Sequence, residues 1–311
     1  MSQLVSVPVV TYNAVAFIEE TLESIFNQTH QNIQLIISDD CSKDNTVDIV
    51  QKWCKQPKVI TRFTDIVILT VPVNAGVSAN CNRSITASTA EWIKFIAGDD
   101  ILLPNCIEEN LKFVSNNHDA KIIFSQVQVF QDTFENKNFV KNIPEQYPDN
   151  LMHVSFTALD QFKLLIESDR ISYTPSYFFN KKTIENIGCY DETNKLVEDY
   201  PMWLNLTKSG IKLFYFHIPT VGYRIHANAT NNTGEVLFKP AVLNGYLVKK
   251  KYAHQYLPWW QAKQEMWAYH LTKGFSFFKI TKPTEFNKSI YKIATVYCNP
   301  FFIIGVVARR I

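Results

Sequence analysis

Ile33-Gln34-Leu35-Ile36-Ile37-Ser38-Asp39-Asp40, residues 33–40, places a short apolar run directly before two carboxylates. Such a run, bounded by turn chemistry, reads as a buried strand. The Cys41-Ser42-Lys43-Asp44-Asn45-Thr46 that follows is rich in residues that cap helices. The same grammar extends to both sides. Residues 4–10 read as a Val-rich strand, after which Phe17, Ile18, Leu22, Ile25 and Phe26 recur at helical spacing, with Glu19, Glu20 and Glu23 on the other face. Val47, Ile49, Val50 and Trp53 set the next helix, and residues 66–73 a third strand. Residues 77–90 contain a helix of small residues, and residues 92–97 a fourth strand that stops at Gly98-Asp99-Asp100. Strands alternating with helices predict an α/β fold, a mostly parallel sheet with right-handed crossovers and flanking helices. Ligands bind such sheets beyond the carboxyl ends of the strands, where both Asp pairs fall. An acid after the second strand suits a base N–H, and acids after the fourth suit a divalent cation, hard oxygen ligands selecting Mg²⁺ or Mn²⁺.

Further along, residues 122–130 read as strand, 157–166 as helix, 173–179 as strand, and 200–209 as a helix stopped by Gly210. Strands over 212–216 and 220–225 close this unit. Beyond about residue 232 the segments look helical, broken near Pro258 and Pro283. Two domains are expected, residues 1–230 and a helical C-terminal region, residues 231–311, with the boundary in the Asn- and Thr-rich stretch at 226–235. With 46% hydrophobic and 19% charged residues, the chain has the composition of a folded core rather than of disorder. The net charge of +2 supplies no field for nucleic acid, so no nucleic-acid partner is expected. The 14% aromatic content suits either a sugar-binding or membrane-facing surface or a large core. Six scattered cysteines form no zinc spacing and fit a reducing cytosol. No signal-peptide pattern opens the chain, and Lys292, Asn299 and Pro300 spoil residues 290–311 as a spanning helix.

Six blocks in order resemble the family 2 glycosyltransferases: Pro8-Val9-Val10-Thr11-Tyr12-Asn13, the Ser38–Thr46 block, Asn74-Ala75-Gly76-Val77-Ser78-Ala79-Asn80-Cys81-Asn82, Ala97-Gly98-Asp99-Asp100, Gly188-Cys189-Tyr190-Asp191-Glu192, and Glu198-Asp199-Tyr200-Pro201-Met202-Trp203-Leu204. The resemblance spans about residues 3–226 and is of the bacterial surface-glycan type. It implies a GT-A fold, Rossmann-like, and transfer of a hexosyl or hexosaminyl group from a nucleotide-sugar with inversion. Thr11 and Tyr12 would line the nucleotide pocket, Asp39 would accept the uracil N3–H, and Asn74 and Gly76 would pass near base and ribose. Asp40 would either contribute there or cap the next helix. Arg83 is open between the diphosphate and a surface role. Asp99 would approach ribose or metal and Asp100 would bind Mn²⁺ or Mg²⁺, although Ala97 stands where many relatives carry a further acid. Asp199 would be the general base, with Glu198 placing the acceptor or tuning it, and Thr174 and Ser176 lining the acceptor site. In Tyr223-Arg224-Ile225-His226, His226 would ligate the metal or contact a phosphate, and Arg224 would pair with a phosphate or an acid.

These readings give a cytoplasmic enzyme taking a UDP-sugar as donor and a glycan or lipid-linked acceptor. Lys249-Lys250-Lys251, Trp259-Trp260 and Arg309-Arg310 suggest either peripheral contact with the cytoplasmic face of a membrane or a helical subdomain with a solvated basic face. The rival from another class is a nucleotide-sugar-binding protein without transferase activity, which has no use for a base at Asp199. A metal phosphohydrolase built on Asp99 and Asp100 ranks lower, because its Asp-x-Asp-x-Thr pattern is absent.

Overall fold

The computed structural model describes residues 2–193, 197–227, 236–238 and 240–308. It divides into two compact units, residues 1–162 with 170–226, and residues 163–169 with 227–311. Arg309, Arg310 and most of the 226–235 stretch lie outside the described residues.

The first unit contains β1 (Val5–Thr11), β2 (Ile33–Asp39), β3 (Asp65–Thr70), β4 (Trp92–Lys94), β5 (Ile96–Ala97), β6 (Ile101–Leu102), β7 (Ile122–Gln131), β8 (Phe139–Ile143), β9 (Phe178–Asn180) and β10 (Leu213–Ile225). They form one sheet in the order β3-β2-β1-β4-β9-β7-β10-β6, with β5 on β1 and β8 on β7. The pairs β1–β2, β2–β3, β1–β4 and β7–β10 are parallel, as an α/β chain requires, while β9, β6 and β8 run antiparallel. All seven residues of β2 are buried, which is why an uninterrupted apolar run rather than an alternating one marked it. Helices α1 (Ile18–Phe26), α2 (Thr46–Cys54), α3 (Pro57–Arg62), α4 (Val77–Ala87), α5 (Cys106–Asn116), α6 (Asp149–Met152), α8 (Lys181–Asn186) and α9 (Asp199–Lys208) belong to this unit, and α7 spans Ala158–Glu167. Part of the aromatic load is core: Phe95, Tyr177 and Phe179 stack on one another, and Trp203 meets Phe124 edge-on.

Several local expectations change. The third strand ends at Thr70 rather than residue 73, since Pro72 has no N–H to continue a ladder. The fourth strand breaks at Phe95 into β4 and β5. Residues 173–179 are not one strand: Pro175 starts a 3₁₀ turn at Thr174–Ser176, and β9 follows it. Residues 213–225 form one long strand, with irregular register around Pro219.

The second unit is helical: α10 (Pro240–Tyr252), α11 (Trp259–Phe277), α12 (Glu285–Lys292), a π turn at Ile293–Tyr297, and α13 (Pro300–Ala308). The Lys249–Lys251 run is not one solvated face, because the Lys249 ammonium donates to the Glu167 carbonyl and pairs with Glu265. Glu265 also binds His254 at 2.9 Å; burial pushes its carboxyl up, but the hydrogen bonds from His254 and Lys249 outweigh burial and hold it below the usual range. Trp260 packs against Gly305, where a Cβ would come within 2.6 Å of the indole. Among the described residues no helix is long and apolar enough to cross a membrane.

Candidate functional site

Parallel register puts Thr11 level with Asp39 on one side of β1, and Val10 level with Ala97 on the other. The chain therefore leaves β1, β2 and β5 at one edge, and the acids collect there. Asp39 is buried and takes the Ser42 N–H (2.8 Å) and the Ser42 hydroxyl, closing the turn after β2. Asn13, with φ of 53°, accepts the Lys43 N–H through its side chain and donates its own N–H to Ser42. Two loops are thus latched together, and Tyr12 is left exposed beside them.

Asp40 is buried too, but it does not cap α2. It accepts the Ala75 and Gly76 N–H groups, the latter at 2.8 Å, and pairs with Arg83 at 3.0 Å. Gly76 has φ of 93°, a conformation costly for any residue with a Cβ, so the turn into α4 needs glycine. Arg83 also donates to Asn80, so it is neither a free surface arginine nor aimed at open space. Asn74 is exposed on the same turn. Gly98 is constrained by packing instead: a Cβ there would lie 2.6 Å from the Thr11 hydroxyl and 2.9 Å from its Cβ.

Asp99 and Asp100 differ sharply. Asp99 is partly open, and its Oδ2 lies 3.1 Å from Nε2 of the buried His226. Asp100 is buried, with Oδ1 taking the Arg224 N–H at 2.9 Å. Burial, and then the charge of Asp99, push the Asp100 carboxyl well above the usual range, with Arg224 and Lys94 opposing. Arg224 binds the Asp99 carbonyl (2.8 Å), the Asp132 carbonyl and Glu20, and its guanidinium lies between the rings of Phe17 and Phe134, 4.6 and 4.2 Å from their centroids. Of the two expectations for Arg224, pairing with an acid is the one observed. Among the described residues no three His, Cys, Asp or Glu side chains cluster as a ready-made metal cage.

Glu198 and Asp199 stand at the head of α9. Asp199 takes the Tyr200 N–H at 2.7 Å and the Thr174 hydroxyl at 3.1 Å. Burial, then the neighbouring Asp199 charge, lifts Glu198 to about 8, and burial raises Asp199 as well. Ser176 is buried, its hydroxyl donating to the Tyr173 carbonyl and accepting the Ser125 N–H. The raised acids fix a pH dependence. Between the ordinary 4.5 and about 8 the folded chain keeps a proton on Glu198 that the unfolded chain has lost, so stability falls as pH rises through that window. Glu198→Gln should flatten this fall and melt above the wild type near pH 8; parallel melting curves for the two proteins from about pH 5 to 8 would refute the assignment.

Sequence reasoning missed two residues that position this site. Lys94 in β4 is completely buried, its ammonium donating to the Phe95, Pro175 and Tyr177 carbonyls at 3.1, 2.7 and 3.3 Å. Burial lowers it to about 8, against the opposing charges of Cys106 and Asp100. Through those hydrogen bonds it ties the β4–β5 break to the turn that carries Thr174. Asn82 on α4 is the second: its side-chain amide accepts the Tyr190 N–H and donates to the Tyr190 carbonyl, both at 2.9 Å. Lys94 carries no signal in sequence, since a lone lysine in a strand reads as edge or solvent-facing; Asn82 ends the block from Asn74, but an Asn in a helix reads as surface.

Residues 6–180 match the family described as Glycosyl transferase family 2. A UDP-Glc:alpha-D-GlcNAc-diphosphoundecaprenol beta-1,3-glucosyltransferase of Escherichia coli is 26% identical over 251 residues, covering 79% of this chain and 88% of its own length. An uncharacterised glycosyltransferase of Methanocaldococcus jannaschii is 26% identical over 225 residues, 71% of either chain. The crystal structure of S. aureus TarS 1–349 with UDP-GlcNAc superposes with a TM-score of 0.58 at 17% identity, covering 89% of this chain and 73% of that one. That likeness carries the fold, a GT-A sheet with flanking helices.

Proposed function

The chain belongs to glycosyl transferase family 2, and on that premise we propose that it moves a sugar from a UDP-sugar to a hydroxyl of a glycan or lipid-linked glycan, inverting the anomeric carbon. The observation that carries the reading is the Glu198–Asp199 pair, raised above the ordinary carboxylate range in the same unit as four strand-end acids. A module that only bound nucleotide-sugars would have no use for a buried carboxylate pair in which Asp199 is oriented by the Thr174 hydroxyl and the Tyr200 N–H.

On this reading Asp39, already oriented by Ser42, accepts the uracil N–H through a remaining lone pair, and Tyr12 stacks on the base. Asn74 and Gly76 pass beside the nucleoside, with Arg83 and Asp40 holding that turn in place. Asp99 and His226 would hold a Mn²⁺ or Mg²⁺ ion, with Asp100 as a buried support or a further ligand. The donor set suits an ion of the kind that takes few protein ligands and completes its shell with phosphate oxygens and water. When bound, the ion would neutralise charge on the departing UDP. Asp199 takes the proton of the acceptor hydroxyl as that oxygen bonds to the anomeric carbon and UDP leaves from the opposite face. Glu198, protonated at neutral pH, spares the pair a second negative charge and helps seat the acceptor. The protein works in the cytoplasm, in peripheral contact with the membrane that carries the acceptor.

The test is release of UDP from a panel of UDP-sugars, with UDP-Glc and an undecaprenyl-diphosphate-linked sugar, the substrates named for the E. coli relative, as first choices. UDP should appear only when an acceptor is present. Tight UDP-sugar binding with no acceptor-dependent release across the panel would favour the binding-module reading instead.

A further inference from the structure

One exposed stripe of α12 and its π turn is apolar. Phe286, Ile290, Ile293 and Tyr297 recur at i, i+4, i+7 and i+11, so they line one side of the helix, and Phe277 and Phe278 end the preceding helix α11. Their exposure runs from 39% at Ile290 to 81% at Phe277. A different side packs inward: Tyr291 hydrogen-bonds Thr272 at 2.6 Å and stacks on Phe238, and the Trp267 N–H donates to the Ala294 backbone carbonyl at 3.0 Å. A helix in a soluble unit normally turns its apolar stripe inward and its polar face to water, and here an apolar stripe is exposed beside the lysines.

The charge around this face selects what covers it. Residues 271–308 carry five lysines, Lys273, Lys279, Lys282, Lys288 and Lys292, all exposed, against a single carboxylate, Glu285, which pairs with Lys288 at 2.8 Å. Aromatic side chains between basic ones are the composition of a surface that sinks shallowly into a bilayer while its cations meet acidic headgroups. A second copy docking by two-fold symmetry would bring the same lysines face to face, which opposes it.

We infer that the α12 face, with Phe277 and Phe278, docks on an anionic lipid surface, with the lysines supplying the attraction and the aromatic and branched side chains the insertion. This deepens the peripheral contact proposed above and rests on it, but it is independent of the transfer chemistry. It also moves the contact away from Lys249 and Trp260, both engaged within the helical unit.

The experiment is flotation of the full chain with phosphatidylcholine vesicles, with and without phosphatidylglycerol. The wild type should float with the anionic vesicles alone, and lose binding at high salt as screening shortens the reach of its charges. Lys279→Gln with Lys282→Gln should lower partitioning by about fivefold per lysine, and Phe277→Ser with Phe286→Ser at least as far. Lys250→Gln with Lys251→Gln, exposed on α10, should bind as the wild type. All the substituted positions are exposed, so melting should not change. Binding that survives both patch variants overturns this surface while leaving peripheral contact standing; a wild type that floats with neither vesicle overturns both. A wild-type dimer that Phe277→Ser with Phe286→Ser turns into monomer assigns the face to a second copy instead.

Discussion

Asp199→Asn should slow sugar transfer by about 10²–10⁴-fold, the usual contribution of a general base, while UDP binding stays near wild type. Asparagine keeps the shape, and its carbonyl oxygen can still accept the Tyr200 N–H or the Thr174 hydroxyl. It cannot take up the proton that the acceptor hydroxyl must release. The loss should therefore sit in the single-turnover rate and not in ground-state affinity, since a base acts as the proton moves. Melting should hold or rise slightly, because one of two mutually repelling acids has gone. If Asp199 merely favoured the positive end of α9, the opposite would be seen: an earlier melt and a transfer rate close to wild type. That pattern would remove Asp199 from the chemistry.

Arg224→Ala should cost about 1.5–3 kcal/mol of stability, the range for losing hydrogen bonds to a charged group, since its ion-pair partner Glu20 is half exposed. Its guanidinium is planar, and it satisfies two carbonyls and one carboxylate while sandwiched between two rings. Truncation leaves the Asp99 and Asp132 carbonyls without that donor and opens a slot between Phe17 and Phe134. Arg224→Lys should recover little, since a point ammonium cannot reproduce a flat fork. The urea midpoint should drop with an unchanged slope, and any dependence of UDP affinity on Mn²⁺ should weaken with it. A variant that unfolds at the wild-type midpoint would show that the clamp contributes nothing net.

Those two residues illustrate what a sequence discloses and what it hides. The apolar runs before Asp39 and Asp99, and the helical spacing from Phe17 to Phe26, are local patterns set by strand and helix periods, and they gave the parallel half of the sheet. The antiparallel insertion of β9 was invisible, because Tyr173, Tyr177, Phe178 and Phe179 look alike whether they line a strand or pack a turn; only Pro175 hinted at the break. Tertiary partners settled the rest. Asp40 finds Gly76 and Arg83 some 36 and 43 residues downstream, and Lys94 finds carbonyls more than 80 residues away. In the helical unit, the lysine run at 249–251 drew attention by its density, yet Lys249 is consumed by Glu265, while the exposed apolar face lies on α12, where single lysines punctuate the chain.

The placement of β9 between β4 and β7 also sets an order on synthesis. Residues 1–120 can be made and can pair β1, β2, β3, β4 and β5 before β9 exists, leaving β4 as an unsatisfied edge. On that edge Lys94 still has water where the carbonyls of Pro175 and Tyr177 will sit. A charged lysine on an open strand is a known guard against pairing with the wrong chain. The residue that is a buried tie in the finished enzyme would therefore be a charge on an open edge during synthesis, until the strand that pairs with it arrives some 80 residues later. A fragment cut near residue 120 would keep Asp39 and Asp99 but would be frozen at that stage, with its central strands exposed and its lysine hydrated.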